Sequence, residues 1–161
     1  MEKKLLQLLE ENARLSNKQL AVMLNCTEEE VEAAIADYEA RGILKGYRAL
    51  VNWEKADENH ATALIELKVT PKRESGFDEI ADRVMAFDEV ESVRLMSGGF
   101  DLAVTVSGKS MQDIALFVAR RLSPLDGVLA TSTHFVLTRY KEGGVSFKDD
   151  EIDERRGMLS D

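Results

Sequence analysis

The chain is short of the residues that cross-link, ligate and catalyse. It has one cysteine, Cys26, so no disulfide can close within it, which suits a reducing, cytoplasmic setting. It has two histidines, His60 and His134, and neither stands in a Ser/His/Asp spacing, a metal cluster or a phosphate loop. An enzyme is therefore not expected, nor is a bound metal or cofactor. Cations are also in the minority. Lys and Arg number 21 against 30 Asp and Glu, giving a net charge of −9. Such a balance disfavours non-specific attraction to DNA or to an anionic membrane. No apolar run approaches the length of a membrane span, and Met1-Glu2-Lys3-Lys4 leads into charged, periodic sequence rather than a signal peptide's apolar stretch. The two prolines, Pro71 and Pro124, read as element stops.

What is present is a substantial apolar fraction, 44% of 161 residues, enough to build one ordinary domain or two small ones. The N-terminal part has helical rhythm. Leu5, Leu6, Leu8 and Leu9 share a stripe. Ser16 with Gln19, and Thr27 with Glu30, are two capping boxes that open a second and a third helix. Leu20, Val22, Met23 and Leu24 are the expected buried side of the second helix, with Asn25 as its stop. Val31, Ala34, Ile35 and Tyr38 fill that role in the third, which Gly42 ends. Cys26 reads as a small turn residue; beside a helix N-terminus its thiolate would also be favoured. The run Ile43 to Val51, with a turn at Gly46, is expected to form two short strands, a wing. Residues 54–60 read as a polar linker.

The second half changes period. Ala63, Ile65, Leu67 and Val69 alternate with more polar neighbours as a strand does. Phe77, Ile80, Ala81, Val84 and Met85 return to helical spacing. Val90 to Met96, a Gly98-Gly99 turn and Leu102 to Val106 make a hairpin. Ser110 caps a further helix with Met111, Ile114, Phe117, Val118 and Leu122 inside, and Val128 to Tyr140 forms a last strand. The order β-α-β-β-α-β predicts a ferredoxin-like sheet with both helices on one face. Leu64, Met96, Ala103 and Thr105 lie on the other, a face apolar enough to pack on a second subunit. The fold class is thus α+β: a winged helix-turn-helix over 1–53, a linker over 54–60, a ferredoxin-like domain over 61–141 and a polar tail over 142–161. A short acidic helix from Asp149 to Arg156 is an option within that tail, a solvated end the simpler alternative.

Three patches in this order resemble the Lrp/AsnC family of feast/famine transcription regulators. They are Leu15-Ser16-Asn17-Lys18-Gln19-Leu20-Ala21, then Gly42-Ile43-Leu44-Lys45-Gly46-Tyr47, then Ser97-Gly98-Gly99-Phe100-Asp101 with the later Leu125-Asp126-Gly127-Val128, Thr131 and Thr133. The resemblance covers roughly residues 1–141. It implies a cytoplasmic homodimer that assembles to tetramers or octamers. Double-stranded promoter DNA would be bound at the N-terminal domain and a small effector, usually an amino acid, at the C-terminal one. By the same resemblance the effector site falls on Ser97, Gly98, Gly99, Phe100 and Asp101. Their chemistry is suitable, because exposed glycine N–H groups can hold a carboxylate and Asp101 can accept from an ammonium group. A bare hairpin with Asp101 capping its own turn accounts for the same residues.

One departure matters. Family members commonly carry basic residues inside the third helix, near positions 33 and 34. This chain has Ala33 and Ala34 there, on a helix with six acids (Glu28, Glu29, Glu30, Glu32, Asp37, Glu39). Bidentate Arg–guanine contacts are excluded from those positions. The remaining DNA-facing candidates are Asn17, Lys18, Gln19, Thr27, Glu28, Arg41, Lys45, Tyr47 and Arg48, with Glu28 suited to accept from a cytosine amino group. A small-molecule sensor or protein-interaction module, whose acidic helix-turn-helix has lost strong DNA binding, is the alternative.

Overall fold

The structure, a computed structural model, describes residues 2–148, and the chain divides into two compact units, 1–50 and 51–161. The first holds α1 (Glu2–Glu11), α2 (Asn17–Leu24) and α3 (Glu28–Ala40). Both capping boxes form. The Ser16 hydroxyl accepts from the Gln19 N–H at 3.2 Å, and the Gln19 carbonyl oxygen accepts from the Ser16 N–H at 2.9 Å. Thr27 and Glu30 repeat this at 3.2 and 2.9 Å. Each box satisfies two backbone donors that a helix start otherwise leaves open.

Both helices close through a left-handed residue. Asn25 (φ 54°) lets the Cys26 N–H reach the Ala21 carbonyl, and Gly42 (φ 67°) lets the Ile43 N–H reach that of Tyr38 at 2.8 Å. The core of this unit is Leu5, Leu9, Leu20, Ala21, Val31 and Tyr38. It departs from the expected α2 stripe: Ala21 is buried, whereas Val22 and Met23 are 76% and 47% exposed. An eight-residue helix that is apolar on several sides has no period sharp enough to pick its inner face.

The expected wing strands do not form. Residues 44–52 take no helix or strand and have no ladder partners among the described residues. The first of the two runs is drawn into the helix closure instead, since the Tyr38 carbonyl accepts from both Ile43 and Leu44. Gly46 (φ 159°) is extended rather than turned. The supposed linker also differs. Asn52 caps a single helical turn, α4 (Trp53–Ala56), through the Lys55 N–H, and Trp53 stacks on His60 with ring centroids 5.6 Å apart.

The second unit has the expected order: β1 (Ala61–Val69), α5 (Asp78–Met85), β2 (Val90–Leu95), β3 (Leu102–Gly108), α6 (Met111–Phe117) and β4 (Val128–Phe135). A wider π turn, Val118–Leu122, extends α6. The sheet runs β2-β3-β1-β4, with antiparallel neighbours throughout. Odd-numbered β1 residues Ala63, Ile65, Leu67 and Val69 pack under Ile80, Val84, Ile114, Phe117, Val118 and Leu122 with Leu102, Val104 and Val106. Both helices therefore cover one face. Met85 and Met111, expected inside, are 55% and 46% exposed.

On the open face Leu64 and Met96 are exposed, but Ala103 is covered, since its ladder neighbours are the long side chains Glu66 and Arg94. His134 approaches Glu66 there at 3.5 Å. The last strand is shorter than expected and stops at Phe135. Part of the supposed tail is instead a small hairpin, β5 (Lys141–Glu142) and β6 (Val145–Ser146), turned by Gly143 and Gly144 at φ 52° and 81°. The optional helix from Asp149 to Arg156 lies outside the described residues.

Candidate nucleic-acid interface and effector site

The acidic run on α3 is not uniform. Three of its six acids are tied to neighbours. Glu30 closes the capping box, Asp37 accepts from the Arg41 guanidinium at 2.8 Å, and Glu39 accepts from the Tyr47 hydroxyl at 3.0 Å. Glu28, Glu29 and Glu32 are exposed and make no side-chain hydrogen bond or ion pair among the described residues. Val31 and Tyr38 point into the core, so the outward stripe of α3 reads Glu29, Glu32, Ala33, Ala36, at helical spacings i, i+3, i+4, i+7.

These local bonds change the standing of several DNA-facing candidates. Gln19 and Thr27 already use their oxygens as caps. Arg41 is engaged by Asp37, whose hydrogen bond and charge hold the guanidinium pKa above its ordinary value. Burial first, then the bond to Glu39, raises the Tyr47 phenol. The pair Arg41–Asp37 is half exposed, so its own stabilising effect is small. Lys18, Lys45 and Arg48 keep exposed ammonium or guanidinium groups with no partner among the described residues, and Asn17 stands half-buried at the first turn of α2.

The structure gathers six of the nine candidates into two places, and Asn17, Gln19 and Arg41 line neither. Lys18, Thr27 and Glu28 line one shallow depression between α2 and α3, together with Val22, Asn25 and Cys26. Lys45, Tyr47 and Arg48 line a separate groove against the end of α1. Arg14, which the sequence did not single out, joins them there. It sits in the α1–α2 turn, where its N–H donates to the Asn12 side chain at 3.0 Å; no motif signals it, because its relation to Lys45 and Arg48 is purely spatial.

The effector candidates form one hairpin tip between β2 and β3. Ser97, Gly98 and Gly99 are exposed, Phe100 and Asp101 half-buried. Asp101 does not cap its own turn. Its N–H donates to the Leu67 carbonyl at 2.9 Å, its carbonyl accepts from Met96 at 2.8 Å, and its Oδ2 accepts from the Val69 N–H at 2.9 Å. The residue thus fastens the hairpin to β1 and keeps one carboxylate oxygen in reserve. On the far side of the sheet end, Gly127 (φ 93°) accepts from the Thr70 N–H at 2.8 Å, and the Thr131 and Ser123 hydroxyls lie 3.3 Å apart.

Residues 1–39 match the AsnC-type helix-turn-helix domain and residues 62–146 match the Lrp/AsnC ligand binding domain. The chain belongs to the Lrp/AsnC family. Lrp/AsnC proteins are transcriptional regulators rather than enzymes, and the chain is a regulator of this type with a ligand-binding domain. It is 44% identical to the HTH-type transcriptional regulator YugG of Bacillus subtilis, over 96% of this chain and 93% of that one. It is 26% identical to the leucine-responsive regulatory protein of Haemophilus influenzae, over 86% and 83%. Among solved structures, a Neisseria meningitidis transcriptional regulator in complex with L-Met is 26% identical. That match covers 86% of this chain and 89% of the other, with a TM-score of 0.71. Escherichia coli AsnC shares the Lrp/AsnC fold at 18% identity, covering 88% and 93%, with a TM-score of 0.68. Among the described residues no helix is long and apolar enough to cross a membrane, and no cluster of His, Cys, Asp or Glu is suited to a metal ion.

Proposed function

We propose that this chain regulates transcription in the cytoplasm as a homodimer that assembles to a tetramer or octamer, binding promoter DNA under the control of an amino acid. One observation carries the proposal: a helix-turn-helix closed at both ends by its own caps is joined on one chain to a ligand-binding sheet. Lys18, Lys45, Arg48 and Arg14 supply the phosphate contacts, and the domains divide at the segment before α4. The effector sits at Ser97 to Asp101. There the Gly98 and Gly99 N–H groups take its carboxylate, and the reserve oxygen of Asp101 takes its ammonium group. The L-Met complex of the Neisseria relative supports an amino acid. Because the tip is exposed on one chain, a second copy is needed to exclude water from the ligand. The exposed Leu64 and Met96 support sheet-face pairing between copies.

The test is a gel shift on the region upstream of the gene at low salt, with each amino acid in turn, beside thermal-shift measurements on the same set. A retarded band and one amino acid that raises the midpoint by mass action are expected. No retardation at any protein concentration, with or without amino acids, would sink the DNA-binding part. A flat thermal screen would sink the amino-acid part.

A second reading, an interaction module, is favoured by the same outward stripe of α3, and by exposed Val22, which shares a depression with Glu28 and Glu30. A sequence-specific footprint rules it out. Capture of a basic partner by a protein without DNA affinity supports it.

A further inference from the structure

The outward stripe of α3 has an unusual chemical character for a helix that reads bases. Glu29, Glu32, Ala33 and Ala36 carry no hydrogen-bond donor on their side chains. None of the four is committed elsewhere among the described residues, whereas Glu30, Asp37 and Glu39 are. At about 1.5 Å rise per residue the stripe spans about 10 Å. That matches about three base pairs at about 3.4 Å each.

A helix with only acceptors and methyl groups selects its bases by elimination. In the major groove guanine shows two acceptors and thymine one, and both repel a carboxylate. Adenine shows a donor, but beside the N7 acceptor. Cytosine offers its N4 amino group, with no acceptor of its own in that groove. Thymine's methyl is the one apolar feature there, and alanine side chains fit it.

We propose that α3 reads the operator through pyrimidine edges, with Glu29 and Glu32 accepting from cytosine N4 amino groups and Ala33 and Ala36 resting on thymine methyls. The proposal rests on the regulator reading above and makes it specific. It also assigns a purpose to the division among the acids. Glu30, Asp37 and Glu39, which stabilise the helix and its closure, are paired, whereas Glu29 and Glu32 on the reading face are open, as is Glu28 at the first turn. The phosphate repulsion that the three open acids bring is offset by Lys18, Lys45, Arg48 and Arg14, which lie off the stripe.

The experiment is selection from a random duplex library at low salt with the full-length protein and with Glu29→Gln and Glu32→Gln. Thermal midpoints equal to the parent's show that the variants are folded. Glutamine pairs with adenine N6 and N7, so each variant is expected to move one position per half-site from cytosine to adenine, by on the order of 10-fold in relative affinity. Replacing thymine by uracil in the selected site removes only methyl groups and is expected to weaken binding a few-fold at one or two positions. A selected site whose positions are the same for the parent and both variants overturns the proposal and leaves the regulator reading standing. A guanine-centred site that ignores both substitutions does the same. A library from which the parent enriches no sequence overturns the proposal and the DNA-binding reading together.

Discussion

Asp101 fastens the hairpin to β1 and is the residue proposed to take the effector's ammonium group, and two substitutions separate the roles. Asp101→Ala leaves the buried end of β1 with an unpaired Val69 N–H, and is expected to cost about 1–3 kcal/mol in urea unfolding. Asp101→Asn keeps a carbonyl acceptor for that N–H and loses the charge. It is expected to unfold near the parent's midpoint while losing the amino-acid-induced thermal shift. Equal thermal shifts in the parent and Asp101→Asn would remove Asp101 from the effector site. Thr27 offers a simpler case. Thr27→Ala removes the oxygen that receives the Glu30 N–H, and is expected to destabilise the first unit by about 1 kcal/mol in the same measurement. The two residues also differ in how far the sequence reveals them. The Thr27–Glu30 box spans three residues and is legible from spacing alone. The Asp101–Val69 bond spans 32 residues, and no local pattern announces it.

At the scale of elements, legibility follows the same division between local and distant causes. β1 is readable because its alternation is strict and its buried set falls on one parity. The wing is not, because an apolar run declares a strand only when something pairs with it, and the Tyr38 carbonyl takes the first part of that run into the α3 closure. In α2 the burial of Ala21 in place of Val22 and Met23 is decided by the neighbouring helices. The third helix can be tested as an element by charge. Glu29→Lys and Glu32→Arg reverse charges that face outward without touching its caps, so the fold is expected to persist. In gel shifts with arbitrary duplex DNA both variants are expected to bind more tightly than the parent. The affinity should also fall more steeply with salt, because added cations release counterions from phosphate. Unchanged affinity and slope would mean that this face does not approach the duplex.

At the scale of the whole molecule, the described residues build two separate cores, one around Leu20, Val31 and Tyr38 and one around Ile65, Leu67 and Val104. Substitutions in one core should therefore be read out in that unit. Ile65→Ala removes a side chain that is wholly buried between sheet and helices, and is expected to cost the second unit about 2–5 kcal/mol. Amide exchange should rise across β1, β3 and β4 while α1 to α3 keep the parent's protection. Loss of protection in both units at once would show that they unfold as one.

The open acids on α3 also bear on where such a protein spends its time in a cell. A regulator competes for its operator against roughly 10⁶–10⁹ other stretches of the same genome, and its occupancy follows the ratio of specific to non-specific affinity. Most binding helices raise both quantities with the same cations. A reading face of carboxylates and methyl groups, with its cations held off to the side, lowers the indiscriminate part first. A chain that reads its operator in the proposed way gives up tight adhesion to DNA at large, and a smaller share of its copies is stranded away from the few sites that suit it.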